Sequence, residues 1–169
     1  MVLFTEKEIQ TRVKSLAVEV SYKNNPENNP RIMIGVLNGA FMFFADLVRN
    51  LEVDCEIDFM QAKSYLGQVQ DRVDITKDIS IDIEGKDIFI VDDIFDSGNT
   101  MKRLIAHLET KGPKSITPVT LFKRSFSNMD GLMYGFELHN EAWLVGYGLD
   151  ATNGHKRNQK FITGQIIEE

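Results

Sequence analysis

The residue types that could do chemistry are most concentrated at 92–100, which has the sequence Asp-Asp-Ile-Phe-Asp-Ser-Gly-Asn-Thr. Three carboxylates within five residues, beside an apolar run, are costly unless they bind a partner. Hydroxyl groups and a glycine follow at the predicted start of a helix, and a helix N-terminus binds a phosphate monoester well. Because carboxylates repel phosphate, they must face sugar hydroxyls or a magnesium ion. This segment therefore predicts a site for a phosphorylated sugar.

A plainer interpretation treats the segment as an ordinary helix start, in which Ser97 or Asn99 caps the helix and the acids form a solvated turn. The segment, however, lies between an apolar run typical of a buried strand and an amphipathic helical pattern. Ligands of open α/β sheets bind beyond the carboxyl ends of the strands, so this context favours the ligand site. Two further apolar runs end in residues that could contact the same ligand, Asn38-Gly39 and Lys123-Arg124.

Alternating strand and helix patterns predict the scaffold that positions these residues. Continuous apolar runs, typical of strands buried on both faces, occupy 32–37, 88–91 and 116–122. Helical spacing of apolar residues predicts helices that follow a Thr5–Glu8 capping box, cover 41–48, and run from near Thr100 to Gly112. Further expectations are strands at 54–62, 133–138, 143–147 and 162–167, an alternating apolar pattern at 79–83, and loops at 24–30, 64–71 and 92–99. This order indicates an α/β fold with a mainly parallel sheet.

Length, charge and cysteine content narrow the class of protein. The 169 residues, 43% hydrophobic and 26% charged, suit one globular domain spanning 1–169. A net charge of −6 argues against a nucleic-acid partner held by bulk electrostatics. The single cysteine, Cys55, excludes an intrachain disulfide and a cysteine-based zinc site and favours a reducing compartment. We expect no signal peptide and no membrane span, and therefore a cytoplasmic protein without a membrane partner.

One motif and a series of shorter matches resemble a known enzyme family. Residues 90–100 resemble the signature with which phosphoribosyltransferases bind 5-phosphoribosyl-1-pyrophosphate: two acids, two apolar residues, then Asp-Thr/Ser-Gly-x-Thr. The chain also resembles the hypoxanthine (guanine) branch of that family at 36–41, 58–60, 64–65, 123–124, 135–137 and 145–150. These matches occur in the family's order, and the resemblance covers roughly residues 5 to 167.

The resemblance implies a fold, an activity and partners. The fold would be type I phosphoribosyltransferase-like α/β, with a mainly parallel central sheet flanked by helices and a small hood from the chain termini. The activity would be purine salvage: transfer of the 5-phosphoribosyl group from 5-phosphoribosyl-1-pyrophosphate to N9 of hypoxanthine, with guanine as a second base. Magnesium would be the cofactor, and the chain would form a homodimer or homotetramer.

The resemblance also implies a role for individual residues. Asp96 would be the catalytic base or acid near purine N7. The ribose and its 5′-phosphate would be held by Asp92, Asp93, Ser97, Gly98, Asn99 and Thr100. Pyrophosphate would be met by Leu37, Asn38, Gly39, Ser64, Tyr65 and Arg157. The purine would be bound by Lys123, Trp143 and Leu144, and magnesium by Asp92, Asp93 and Asp150.

Two positions depart from the family's pattern. Asn38 stands where a lysine is usual, which could change pyrophosphate affinity or subunit contacts. After Asp150, strict counting puts Lys156 where an arginine is expected, and Arg157 follows one position later. The family's choice of base is carried by Lys123, because a 6-amino purine would face its ammonium donor with a second donor, so adenine should be rejected.

Three other functions stay open. A guanine- or xanthine-preferring relative differs only in the base. A non-catalytic RNA-binding regulator that retains the phosphoribosyl site would need a basic surface, which the acidic balance disfavours. A phosphoacceptor signalling module also has paired acids and a strand-end lysine, but its acids follow the first strand, whereas these follow a later one.

Overall fold

The computed structural model describes residues 1–65, 72–151 and 154–165 and consists of short strands and three helices within those ranges. The elements in chain order are β1 (Val2–Phe4), α1 (Glu6–Tyr22), β2 (Arg31–Leu37), α2 (Phe41–Arg49), β3 (Cys55–Tyr65), β4 (Arg72–Lys77), β5 (Asp87–Phe95), α3 (Asn99–Glu109), β6 (Ser115–Arg124), β7 (Met133–Leu138), β8 (Trp143–Val145) and β9 (Ile162–Gln165). Within these ranges, no helix is long and apolar enough to span a membrane.

The central sheet has six strands in the order β4-β3-β2-β5-β6-β7. Strands β3, β2, β5, β6 and β7 are parallel to one another, and β4 pairs antiparallel with the end of β3. A second sheet, in the order β1-β9-β8, joins the two ends of the chain and forms the hood. The expected fold, a mainly parallel sheet with a small hood from the termini, is confirmed.

Helices cover both faces of the central sheet. The amphipathic faces of α1 and α2 bury side chains such as Ile9 and Phe43 against Phe89 and Val91 of β5. On the other face, Leu104 of α3 lies in a second cluster with β-strand residues. Each fully buried Leu, Ile or Phe contributes about 1.5–3 kcal/mol, so the two clusters fix the strands whose carboxyl ends form the site.

The start of α1 follows the predicted capping box. The N–H of Glu8 donates to the Thr5 hydroxyl (3.3 Å), and the N–H of Thr5 donates to the Glu8 carboxylate (2.8 Å). These two bonds satisfy N–H groups that the first helical turn leaves without partners. The helix therefore begins at Glu6, one residue after Thr5, and its buried apolar residues begin at Ile9.

The structure differs from the expected bounds of elements at 92–99 and 143–147, and it gives the alternating pattern at 79–83 a coil conformation. The loop expected at 92–99 is strand through Phe95, because β5 continues its ladder with β6 as far as Phe95 beside Lys123. The alternating pattern at 79–83 is not a strand, since the Asp58 carboxylate accepts the N–H groups of Ser80 and Ile81 and holds this segment as coil. The strand expected at 143–147 ends at Val145, because Tyr147 has a left-handed backbone with φ of 49°.

Two short elements were not expected. Strand β1 precedes the first helix, and β4 folds back on β3 as a hairpin. Ser64 and Tyr65, expected in a loop, form the last two residues of β3. The remainder of that expected loop, 66–71, lies outside the described residues.

Candidate active site

Two neighbouring carboxylates occupy the end of β5, at the carboxyl edge of the sheet. Asp92 Oδ1 accepts the N–H of Asp93 (2.9 Å), and Asp93 Oδ1 accepts the N–H of Ile94 (2.6 Å). Burial raises the pKa of both carboxyl groups, and repulsion from Asp93 raises the pKa of Asp92 further, well above its ordinary value. The pair therefore concentrates negative charge that a cation or hydroxyl donors would stabilise.

The turn after these acids is shaped for close approach of a ligand to backbone. Gly98 begins α3 with φ of 81°, a left-handed conformation that favours glycine. A β-carbon at Gly98 would lie 2.6 Å from the ring of Phe95, so a larger residue is excluded on steric grounds as well. The Ser97 hydroxyl accepts the N–H of Asn99 (3.4 Å). Because first-turn N–H groups point outward along the helix axis, residues 97–100 present a positive helix end.

The loop between β2 and α2 approaches the acidic pair from the neighbouring strand. It contains a cis peptide between Leu37 and Asn38. A β-carbon at Gly39 would overlap the Asp93 carboxylate, so only glycine fits there. The Asn38 side chain is exposed, and its Oδ1 accepts the Gln61 amide at 3.4 Å. The structure therefore brings the predicted 37–39 segment into direct contact with the predicted acidic pair.

A turn from the hood closes the same corner. Gly148 has φ of 100°, and a β-carbon there would overlap the carbonyl oxygen of Gly39. The Arg157 guanidinium donates to the Gly148 carbonyl (2.7 Å) and pairs with Asp150 (3.0 Å). Its positive charge also lowers the pKa of Asp93 against the larger effect of burial. Lys156 is exposed, so Arg157 rather than Lys156 faces this corner.

An open cleft of about 160 Å³ lies between the acidic turn and the hood. Its lining residues are Asp93, Ile94, Asp96, Arg124, Trp143, Leu144, Leu149 and Asp150. The Trp143 side chain is 42% exposed, and its indole N–H donates to the Asp150 carbonyl (3.0 Å). A flat aromatic side chain held beside apolar neighbours suits a planar, partly apolar ligand. The predicted Trp143, Leu144 and Asp96 therefore share one cleft.

Lys123 and Arg124, the last two residues of β6, have different surroundings. The Lys123 ammonium contacts the Glu137 carboxylate at 3.4 Å and lies 5.2 Å from the centre of the Tyr134 ring. Of the two, Arg124 and not Lys123 lines the cleft in the part of the chain that the structure describes. Lys123 lies next to Phe95 in the strand register, and its role in purine binding stays a prediction.

Two residues of this region, Arg124 in the cleft and Gly148 in the closing turn, received no role from the sequence. Arg124 was noted only as the residue after Lys123, and Gly148 only as part of the family match at 145–150. A glycine on each side of a left-handed tyrosine, as at 146–148, is the signal that marks the closing turn. Backbone pairing defines Ser64 and Tyr65, but their side chains lie outside what the structure describes.

The carboxylates fit magnesium only in combination with a substrate. Across 1–65, 72–151 and 154–165, no three His, Cys, Asp or Glu side chains are grouped as a protein-only metal site. Magnesium usually keeps several waters and binds through one or two carboxylates plus substrate phosphates. Asp92, Asp93 and Asp150 supply oxygen donors of that kind, and the raised pKa of the first two marks uncompensated negative charge.

Comparison with known proteins shows the family to which this chain belongs. The protein-family model described as the phosphoribosyl transferase domain matches residues 3–152 of this chain. The chain is 38% identical to the hypoxanthine phosphoribosyltransferase of Escherichia coli K12 over 98% of this chain and 94% of that one. It is 41% identical to the hypoxanthine-guanine phosphoribosyltransferase of Aquifex aeolicus, over 88% and 85% of the two chains.

A solved structure agrees with these sequence matches. The crystal structure of a hypoxanthine-guanine phosphoribosyltransferase from Bacillus anthracis superposes with a TM-score of 0.88 and 33% identity, covering 98% of each chain. From its sequence and its fold alike, the chain belongs to the phosphoribosyltransferase family.

Proposed function

We propose that this protein is a purine-salvage enzyme that transfers the 5-phosphoribosyl group from 5-phosphoribosyl-1-pyrophosphate to N9 of hypoxanthine, and to guanine as a second base. The products would be IMP or GMP and pyrophosphate. The observation that carries this proposal is the continuity of the acidic turn at 92–100 with the cleft walled by Trp143 and Leu144. One end of that surface suits a phosphorylated sugar and the other a planar base.

The sugar end would be held by the acidic strand end and the start of α3. Asp92 and Asp93 would accept hydrogen bonds from the ribose 2′- and 3′-hydroxyls. The 5′-phosphate would lie at the helix N-terminus, against the backbone of Gly98 and Asn99 and the hydroxyls of Ser97 and Thr100. Phosphate at a helix N-terminus gains both N–H donors and the favourable end of the helix dipole.

The pyrophosphate end would be met by the loop of Leu37, Asn38 and Gly39, by Arg157, and by Ser64 and Tyr65 from the end of β3. Arg157 supports this placement because its guanidinium already lies within 3.0 Å of Asp150 and donates to Gly148. Magnesium, bound through Asp92, Asp93 and Asp150 with substrate oxygens, would neutralise charge on the leaving pyrophosphate.

The base end would use Trp143 for stacking, the Leu144 backbone for the base edge, and Lys123 for the 6-oxygen. Lys123 contacts Glu137 in this structure, and an ammonium group has three N–H donors. It can therefore keep Glu137 while it donates to the purine. A 6-amino group would place donor against donor, so the site should reject adenine.

The proposed reaction forms one bond, breaks one bond and transfers one proton. The N9 lone pair of the 7H-purine forms the new bond to C1′ of the sugar as the C1′–oxygen bond to pyrophosphate breaks. The Asp96 carboxylate, which lines the cleft, then accepts the N7 proton. The sugar carbon is cation-like in the transition state, while the C1′–oxygen bond is breaking and the C1′–N9 bond is forming, so exclusion of water by a closed site is part of catalysis.

We also place the protein in the cytoplasm, as a homodimer or homotetramer of single-domain chains. The lone Cys55 supports a reducing compartment. Exposed large apolar side chains, including Phe41 (38%) and Ile57 (46%), supply surface that a second copy could cover.

An ultraviolet assay of the purified protein tests the proposal. Magnesium and 5-phosphoribosyl-1-pyrophosphate are combined with hypoxanthine, guanine, xanthine or adenine in parallel. We expect turnover of hypoxanthine and guanine and a rate with adenine at least about 10³-fold lower, as unpaired buried donors produce. Fastest turnover of xanthine would contradict the choice of base. No turnover of any base, with 5-phosphoribosyl-1-pyrophosphate still bound, would favour a non-catalytic regulator.

A further inference from the structure

We infer that Arg124 is a positioning residue that fixes the distance between Asp96 and the base platform, which we define as Trp143 and Leu144. The inference rests on the proposed function for its consequence in catalysis, but its structural part stands on the contacts alone. Arg124 is the last residue of β6 and is only 6% exposed. It carries a permanent charge, so its burial requires partners on several sides.

The partners of Arg124 come from two separate segments. Its Nε lies 3.5 Å from Asp96 Oδ1, in the turn after β5. Its Nη1 donates to the carbonyl of Asn140, and its Nη2 donates to the carbonyl of Ala142 at 3.0 Å. Asn140 and Ala142 lie directly before the base platform. One guanidinium therefore joins the catalytic turn to the segment that delivers the platform.

The shape of the guanidinium makes this junction specific. It is planar, with five N–H donors in a fixed fork, so its contacts set both distance and angle. The segment it holds is shaped further by the N–H of Ala142, which donates to Asn140 Oδ1 (3.2 Å). A lysine would keep the charge beside Asp96 but could not reach both carbonyls with the same geometry.

Loss of the Arg124 contacts should therefore affect the use of the two substrates unequally. Arg124 lines the cleft with Asp96 and the base platform, whereas the residues proposed to hold the sugar phosphate, 97–100, lie at the start of α3. Displacement of a reacting group by about 1 Å can cost 10²-fold in rate. Loss of the Arg124 guanidinium should therefore impair use of the purine more than use of 5-phosphoribosyl-1-pyrophosphate.

The test compares Arg124→Lys with Arg31→Lys. Arg31 is a matched control because it is also 6% exposed and also donates to a backbone carbonyl, that of Lys23. It lies at the first residue of β2, at the opposite edge of the sheet from the cleft. Both variants lose a buried guanidinium, so a general effect of destabilisation would appear in both.

Two readouts are measured on each variant. Trp143 is the single tryptophan, so acrylamide quenching of its fluorescence reports the base platform without any need for activity. Steady-state kinetics give separate KM values for hypoxanthine and 5-phosphoribosyl-1-pyrophosphate. For Arg124→Lys we expect the quenching constant to rise about 2-fold and the hypoxanthine KM about 10-fold, with the other KM changed less than about 2-fold. Arg31→Lys should change none of these.

Three results would overturn the inference: unchanged quenching and hypoxanthine KM in Arg124→Lys, equal changes in both KM values, or the same changes in Arg31→Lys. If the wild type shows no turnover, the proposed function fails, and the quenching comparison still decides the structural part. If Arg124→Lys does not fold, Arg124→Gln decides, because it removes the guanidinium contacts without leaving an unpaired buried charge. It should raise both quenching and hypoxanthine KM, and no change in either would overturn the inference.

Discussion

The Asp93 carboxylate occupies the space into which a side chain at Gly39 would project. Asp93 lies near the end of β5 and Gly39 follows β2, and these strands are neighbours in the parallel sheet. The contact therefore joins the acidic turn to the loop proposed to bind pyrophosphate. It also explains why a glycine is needed at 39 for a reason of space, not of backbone conformation.

Replacing Gly39 by alanine should displace Asp93 and so impair the site. We expect kcat/KM for 5-phosphoribosyl-1-pyrophosphate to fall by at least about 10²-fold, because a small displacement of a binding group is amplified in the rate. Steady-state kinetics measure the loss. Gly131→Ala is the control for backbone strain without steric overlap, since a β-carbon there meets open space although its φ of 76° disfavours alanine. A Gly39→Ala enzyme with normal kinetics would show that the contact is not functional.

The raised pKa of Asp92 gives stability a defined pH dependence. A carboxyl whose pKa is higher in the folded than in the unfolded protein stabilises at low pH, and that contribution is lost as pH rises through the folded value. Asp92→Asn has no such titration. The melting temperature of Asp92→Asn, minus that of the wild type, should therefore increase as pH rises from the ordinary aspartate range, about pH 4, towards about pH 8.

Thermal unfolding in EDTA measures this difference. At about pH 8 we expect Asp92→Asn to melt at least about 3 °C above the wild type, equivalent to about 1 kcal/mol, while its affinity for 5-phosphoribosyl-1-pyrophosphate falls. Asp130→Asn, at an exposed turn, is the matched control. A pH-independent difference for Asp92→Asn would contradict the charge concentration described at this strand end.

Arg157 and Lys156 can be separated by removing each charge. Arg157→Gln should raise the KM for 5-phosphoribosyl-1-pyrophosphate by about 10-fold, which corresponds to the loss of one charge-assisted hydrogen bond. Lys156→Gln should change it by less than about 2-fold, because its side chain is exposed. Initial-rate kinetics of the two variants decide the assignment. The opposite ranking would move the pyrophosphate contact to Lys156.

The Tyr147 hydroxyl anchors the hood turn to α2. It donates to Asp46 Oδ2 at 2.6 Å, the side chain is 4% exposed, and Gln10 donates to the same oxygen (2.7 Å). Tyr147→Phe should lower the free energy of unfolding by about 1–2 kcal/mol, because a buried hydrogen bond is lost. Urea unfolding measures it. The exposed Tyr22→Phe should change stability much less, and equal losses would refute the anchor.

The sequence predicted the order of the helices and of the strands other than β1 and β4, and most of the residues at the carboxyl edge of the sheet. Apolar runs indicated β2, β5 and β6, since strands buried on both faces need continuous apolar sequence. The boundary at Asp92 was missed because acidic residues are unusual within a buried strand, and only the ladder with β6 shows that they belong to it. A functional site is where local propensity is expected to fail.

Contacts distant in sequence were not accessible in the same way. Arg124 reaches Asn140 and Ala142, and Gly148 packs on Gly39, through folding of segments that no local pattern relates. Which of Lys156 and Arg157 faces Asp150 could also be decided only from the structure. The left-handed backbone at Lys156, with φ of 68°, precedes the residue whose side chain turns towards Asp150.

The most direct test of the account is the turnover of Asp96→Asn. The amide preserves the size of the side chain but cannot accept the N7 proton as a base. We expect kcat to fall at least about 10²-fold, while the KM values for hypoxanthine and 5-phosphoribosyl-1-pyrophosphate stay within about 3-fold of the wild type. The exposed Asp130→Asn is the matched control. An Asp96→Asn enzyme with undiminished kcat would contradict the proposed proton transfer in this cleft.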